Sequence, residues 1–167
     1  ELRKALLLFD KAVTLCPVTV FSGLSVFYLN AGKALYFLRD YAHARERFEK
    51  VYSMYGEFDL FWLRSSLDAY MALVLIEEEE FAQALSYLNM GRKNRWRMRY
   101  PGDIGTVFMA EALIRKRAEE NAQIDTVFKA SLLESVEYYT DMALKNLDQY
   151  LNRYEIFYLQ SVLKENP

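Results

Sequence analysis

The 167-residue chain is 53% apolar and 16% aromatic, with six glycines and three prolines, a composition that builds one helical core and leaves little for turn-rich β structure. Its net charge of −2 supplies no global field for nucleic acid or an anionic membrane surface. Cys16 is the single cysteine, which excludes an internal disulfide, and no apolar run is long enough to span a bilayer, so a cytoplasmic setting is expected.

Glu1 to Leu15 places Leu2, Ala5, Leu6, Phe9, Ala12 and Val13 on one face at helical spacing. Cys16-Pro17 ends that helix, because the residue before a proline is pushed out of the α region. A second helix is predicted over about Ser22 to Leu38. A third follows over about Tyr41 to Met54, with Ala44, Phe48 and Val51 inward and Gly56 as the stop. Asp59 caps a fourth helix that ends near Glu77, and a fifth runs from about Glu80 to Asn94. Pro101-Gly102 marks the next break, after which Asp103 starts a sixth helix to about Glu120. Between Asn121 and Asn166 there is neither Gly nor Pro. One long helix is therefore predicted over about Gln123 to Leu151, then a short, ring-rich one over about Arg153 to Lys164. The total is about seven or eight helices.

One spacing recurs along this array. Ala5, Phe9 and Ala12 precede Pro17; Ala44, Phe48 and Val51 precede Gly56; Ala84, Leu88 and Gly91 complete the set. The intervals Ala5–Ala44 and Ala44–Ala84 are 39 and 40 residues. Twelve positions before two of these alanines stand Gly32 and Ala72, and the intervening turns carry Asp40-Tyr41 and Glu80-Phe81. Two antiparallel helices that cross closely need small side chains where the backbones meet and a large one a turn further on.

This pattern resembles the tetratricopeptide (TPR) repeat over about residues 1–94. The period is longer than the family's, and Tyr28 and Asp68 stand where its first helix carries Trp. The resemblance implies an all-α, right-handed array of antiparallel helical hairpins, a TPR-like α-solenoid in which each hairpin buries its neighbour's face. Residues 1–100 are expected to form the repeats, starting at the second helix of one. Residues 101–167 are expected to add a further hairpin and C-terminal capping helices of the same domain. A chain that opens on Glu1 inside a repeat is expected to be a piece of a longer protein.

The resemblance also implies a concave surface lined by the first helix of each hairpin. Asn30, Lys33, Tyr36 and Phe37 on the second helix, with Tyr70 and Leu73 on the fourth, are the candidate groove residues for a protein or peptide partner. Asn30 and Lys33 look like the polar pair with which some TPR proteins hold a peptide backbone or C-terminal carboxylate. Ser66 and Tyr70 replace the further basic residues a chaperone-tail clamp needs. TPR-like arrays also form the ligand-sensing half of several bacterial regulators, which makes a regulator's interaction domain one version of this reading. The opposing version has a C-terminal helix folded into the groove, making it core.

No catalytic constellation emerges. His43 is a lone histidine on the outward side of the third helix, with no second His, Cys pair or acidic ligand spacing to make a metal site. Six scattered glycines build no phosphate loop, so no enzyme activity, metal or cofactor is expected. Glu77 to Glu80 fill a turn, where the following helix N-terminus favours negative charge. The run Gly91 to Tyr100 crowds Arg92, Lys93, Arg95, Arg97 and Arg99 around Trp96. Its plainer reading is a structural C-terminus; its functional reading is contact with an acidic partner. Nucleic-acid binding through residues 92–99 is the alternative, disfavoured by the net charge. Oligomeric state is not legible.

Overall fold

A computed structural model describes residues 1–17, 21–54, 61–94, 101–147 and 151–164. Among the described residues the chain is all-helical, with no strand and nine helices: α1 (Leu2–Leu15), α2 (Phe21–Phe37), α3 (Tyr41–Met54), α4 (Phe61–Glu77), α5 (Phe81–Asn94), α6 (Pro101–Glu120), α7 (Thr126–Ser131), α8 (Val136–Asn146) and α9 (Arg153–Lys164). The predicted stops at Gly56 and the cap at Asp59 lie outside the described residues. Pro101 is the first residue of α6 rather than part of a break before it, a position where its fixed φ suits a helix and its missing N–H is not needed.

Two hairpins, α2–α3 and α4–α5, turn in the same way. Arg39 N–H donates to Tyr36 C=O at 2.9 Å and Asp40 N–H to Leu35 C=O at 3.0 Å. Forty residues on, Glu79 N–H donates to Ile76 C=O at 3.2 Å and Glu80 N–H to Leu75 C=O at 2.8 Å. Each pair is a Schellman closure, which uses the orphan carbonyls at a helix end and needs a left-handed residue. Arg39 and Glu79 fill that position, with φ of 63° and 61°. Asp40 and Glu80 then begin the next helix, their carbonyls accepting from Ala44 and Ala84 N–H at 3.0 Å.

The small–large stripes are core. Ala44, Phe48 and Val51 on α3, like Ala84 and Leu88 on α5, are fully buried. At the α2–α3 crossing the space beside Gly32 is filled by the Phe48 ring: a Cβ there would lie 2.8 Å from Phe48 Cδ1. A third pairing joins α6 to α8, where Gly105 meets Leu147, one turn beyond buried Ala143. Helix α4 touches α2, α3, α5 and α6, and is buried almost all round from Leu63 to Ile76; its second half, from Ala69 to Ile76, is apolar on every side, as such burial requires. Asp68 sits fully buried on it and accepts from Tyr52 OH at 2.7 Å and Arg64 Nε at 2.9 Å, tying α3 to α4.

The predicted single helix from Gln123 to Leu151 is corrected to two, α7 and α8, so nine helices replace the expected seven or eight. Neither Gly nor Pro makes the break. Asp125 accepts from Val127 N–H at 3.1 Å, and Ser135 Oγ accepts from Tyr138 N–H at 3.1 Å, so each starts a fresh helix by capping it. The inserted α7 lengthens the link between α6 and α8, which moves Ala143 fifty-nine residues from Ala84 and off the 39–40-residue spacing.

Candidate binding site

Helices α2, α4 and α6 touch in succession, and α9 packs on α6 and reaches α2 and α4 through its side chains. Its rings meet those of α2: Tyr158 packs 5.5 Å from Tyr36 and 6.0 Å from Phe37, and Tyr154 packs 5.9 Å from Phe37, centroid to centroid. Two hydrogen bonds accompany them. Tyr70 OH donates to the Glu155 carboxylate, and Tyr158 OH donates to Glu77. Burial, reinforced by these carboxylates, pushes the Tyr70 and Tyr158 hydroxyls far above their ordinary pKa, so both stay protonated donors. Of the candidate groove residues, Tyr36, Tyr70 and Leu73 are accordingly buried, at 1%, 0% and 0% exposure.

Asn30, Lys33 and Phe37 are placed differently. They line a cavity of about 800 Å³ beside the start of α9. Leu2, Ala5 and Phe9 of α1 supply an apolar wall, Gly102 and Asp103 come from the first turn of α6, and Asn152, Tyr154 and Glu155 from the approach to α9. Gly102 allows the Asn152 amide to lie against the α6 backbone; a Cβ there would collide with it.

The electrostatics centre on Lys33. Its ammonium lies 4.8 Å from the centroid of the Tyr70 ring, and no carboxylate closes an ion pair with it among the described residues. Burial lowers its pKa, while Glu155 and Asp103 pull it back up. Asp103 is raised by burial, against the opposing pull of Lys33. Each acid stands in the first turn of its own helix, where it complements the positive end of the dipole. Lys33 balances the remaining negative charge. The result is an apolar chamber with a near-neutral polar lining: the carboxamides of Asn30, Asn146 and Asn152, the ammoniums of Lys33 and Lys145, and the carboxyls of Asp103 and Glu155.

The basic cluster is only partly described. Arg92 Nε pairs with fully buried Glu111, which also takes Arg115 Nη1 at 2.7 Å. Arg92 thus serves an internal pair between α5 and α6. Lys93 is exposed. Arg95, Trp96, Arg97 and Arg99 lie outside the described residues. The acidic turn has partners the helix-dipole argument did not foresee: Arg45 Nη1 meets Glu78 at 2.7 Å and Glu80 at 3.0 Å, and Arg117 Nη2 meets Glu77 at 3.5 Å. His43 is exposed and bonds Asp40 Oδ1 at 2.7 Å, which raises its pKa. Among the described residues no group of three metal-ligating side chains comes together, and no helix is long and apolar enough to cross a membrane.

Sequence reasoning missed Asp103, Asn152 and Glu155. Tyr70 and Glu155 are 85 residues apart, and no local pattern records that meeting. No protein-family model matches the chain, nor does any curated protein or solved structure.

Proposed function

We propose that the chain is a TPR-like scaffold that binds a protein or peptide segment, seated in the cavity between α1, α2 and the start of α9. The observation that carries this reading is the cavity itself: about 800 Å³, within the range of a ligand site. Apolar walls suit side chains, and the carboxamide of Asn30 suits peptide N–H and C=O groups, beside Asn152, which donates to Glu155 at 3.4 Å. Asn30, Lys33 and Phe37 contact the ligand in this reading, while Tyr36, Tyr70 and Leu73 are core residues outside the cavity lining. The two identically closed hairpin turns, forty residues apart, support the repeat assignment. Nucleic-acid binding through residues 92–99 gains nothing from Arg92, whose guanidinium is engaged by Glu111.

The test is selection of a displayed library of 12-residue peptides on the immobilised chain. Enriched peptides are expected to bind Asn30→Ala and Lys33→Met at least about tenfold more weakly, a loss of about 1.4 kcal/mol each, with melting temperature preserved for Asn30→Ala. Enriched peptides that bind both variants as well as the parent chain would refute the seat.

A further inference from the structure

Helix α9 presents one buried face to α2, α4 and α6. Glu155, Tyr158, Leu159 and Val162 fall at i, i+3, i+4 and i+7, the spacing of a helix laid into a groove. Leu159, Val162 and Glu155 are buried at 0%, 3% and 6% exposure, while Phe157 on the opposite side is 71% exposed. The groove beneath is complementary in charge and in hydrogen bonding: Tyr70 donates to Glu155, Lys33 attracts it, and Glu77 accepts from Tyr158. With α9 withdrawn, Tyr70 and Lys33 would exchange the Glu155 carboxylate for water and keep only Asp103 in reach, so an occupant that brings its own acid restores what α9 supplied. A surface held by two polar pairs and a few rings is specific in what it accepts. It also releases its helix more easily than the core releases α4, which is buried all round.

We propose that α9 occupies the seat of a partner helix. The surface of α2, α4 and α6 accepts, in place of α9, an amphipathic helix that carries an acid, then an aromatic residue three positions on, and apolar residues at four and seven. This deepens the scaffold reading and rests on it, since it names the partner class of the adjoining surface. The charge pattern selects the occupant: an acid must reach Lys33 and Tyr70, and a hydroxyl must reach Glu77. Because α9 is tethered, its effective concentration is on the order of millimolar, and a partner helix must outcompete that.

The experiment uses the full chain and a synthetic peptide of residues 153–164, RYEIFYLQSVLK, as the probe. In the first arm, amide hydrogen exchange is followed in the parent chain with and without millimolar peptide. The α9 amides are expected to lose protection when peptide is present, while those of α4 keep theirs. Unchanged α9 protection at peptide concentrations that saturate any binding, or α9 amides that exchange only with α4, would overturn the proposal. In the second arm, fluorescein-labelled peptide is titrated into the parent chain and into Glu155→Ala/Tyr158→Ala. Binding is expected to tighten at least about tenfold in the variant, whose own helix is loosened. Replacing the peptide's own glutamate by Gln should weaken it about tenfold. Equal binding to both chains contradicts displacement. If the variant does not fold, the first arm decides alone. Failure in both arms, with cavity-dependent binding of library peptides intact, sinks this inference and leaves the scaffold reading standing.

Discussion

At the scale of single residues, the chain carries identifiable costs. Arg39 and Glu79 hold left-handed φ without being glycine, a conformation that costs L-residues roughly 1–2 kcal/mol. Both side chains are exposed, so little packing is lost on removing them. Arg39→Gly and Glu79→Gly are each expected to stabilise the fold by about 0.5–1 kcal/mol, since the glycine's extra unfolded-state freedom offsets part of the relief. Thermal unfolding should rise by about 1–4 °C for each, and a lower melting temperature would count against the assigned turns. Asp103 is a second such residue. Its folded pKa is raised by burial beside Lys33, Glu155 and Ser66, so the native state holds its proton longer than the unfolded chain. Its contribution to stability is therefore lost as pH rises from the ordinary aspartate value, about 3.9, through the raised folded value. Asp103→Asn removes that titration. The stability difference, variant minus parent, should grow with pH above about 4 in urea titrations; a difference that shrinks would reverse the sign argued here.

At the scale of elements, the hairpins were legible and the C-terminal third was not. The stripe Ala44, Phe48, Val51 and its copy at Ala84, Leu88 announce buried faces because a close helix crossing restricts side-chain size at fixed positions. The ends of α3 and the starts of α6 and α9 were read to within two residues for the same local reasons. The division of α7 from α8 escaped because Asp125 and Ser135 are ordinary helix-surface residues until a chain turn makes them caps. A further hairpin was expected there, but not its contact residue on α6, Gly105. A Cβ on Gly105 would lie 2.8 Å from Leu147 Cγ and 2.9 Å from Leu147 N, a backbone atom that cannot swing aside. Gly105→Ala should therefore cost about 1–3 kcal/mol, as overpacking does. An unchanged urea midpoint would mean that α6 and α8 do not meet there. The candidate site divides along the same line. Asn30, Lys33 and Phe37 could be picked out from one face of α2, whereas Asp103 joins them through the packing of α6, and Asn152 and Glu155 through the return of α9 across the molecule.

At the scale of the whole molecule, α9 decides which part of the expected groove is surface. It covers Tyr36 and Tyr70 and leaves open the end framed by Asn30, Lys33 and Phe37. A folded-back helix and an open seat therefore coexist, each with its own chemistry: rings and carboxylate pairs under α9, carboxamides and two ammoniums in the cavity. The central claim, that a peptide enters the cavity, is tested most directly by NMR. A library-selected peptide is titrated into the isotope-labelled chain, and the side-chain amides of Asn30 and Asn152 are followed together with the Phe37 backbone. The account predicts saturable shifts of these three groups with a common dissociation constant. Shifts confined to Arg92 and Lys93, with Asn30 and Asn152 unmoved at saturation, would contradict it.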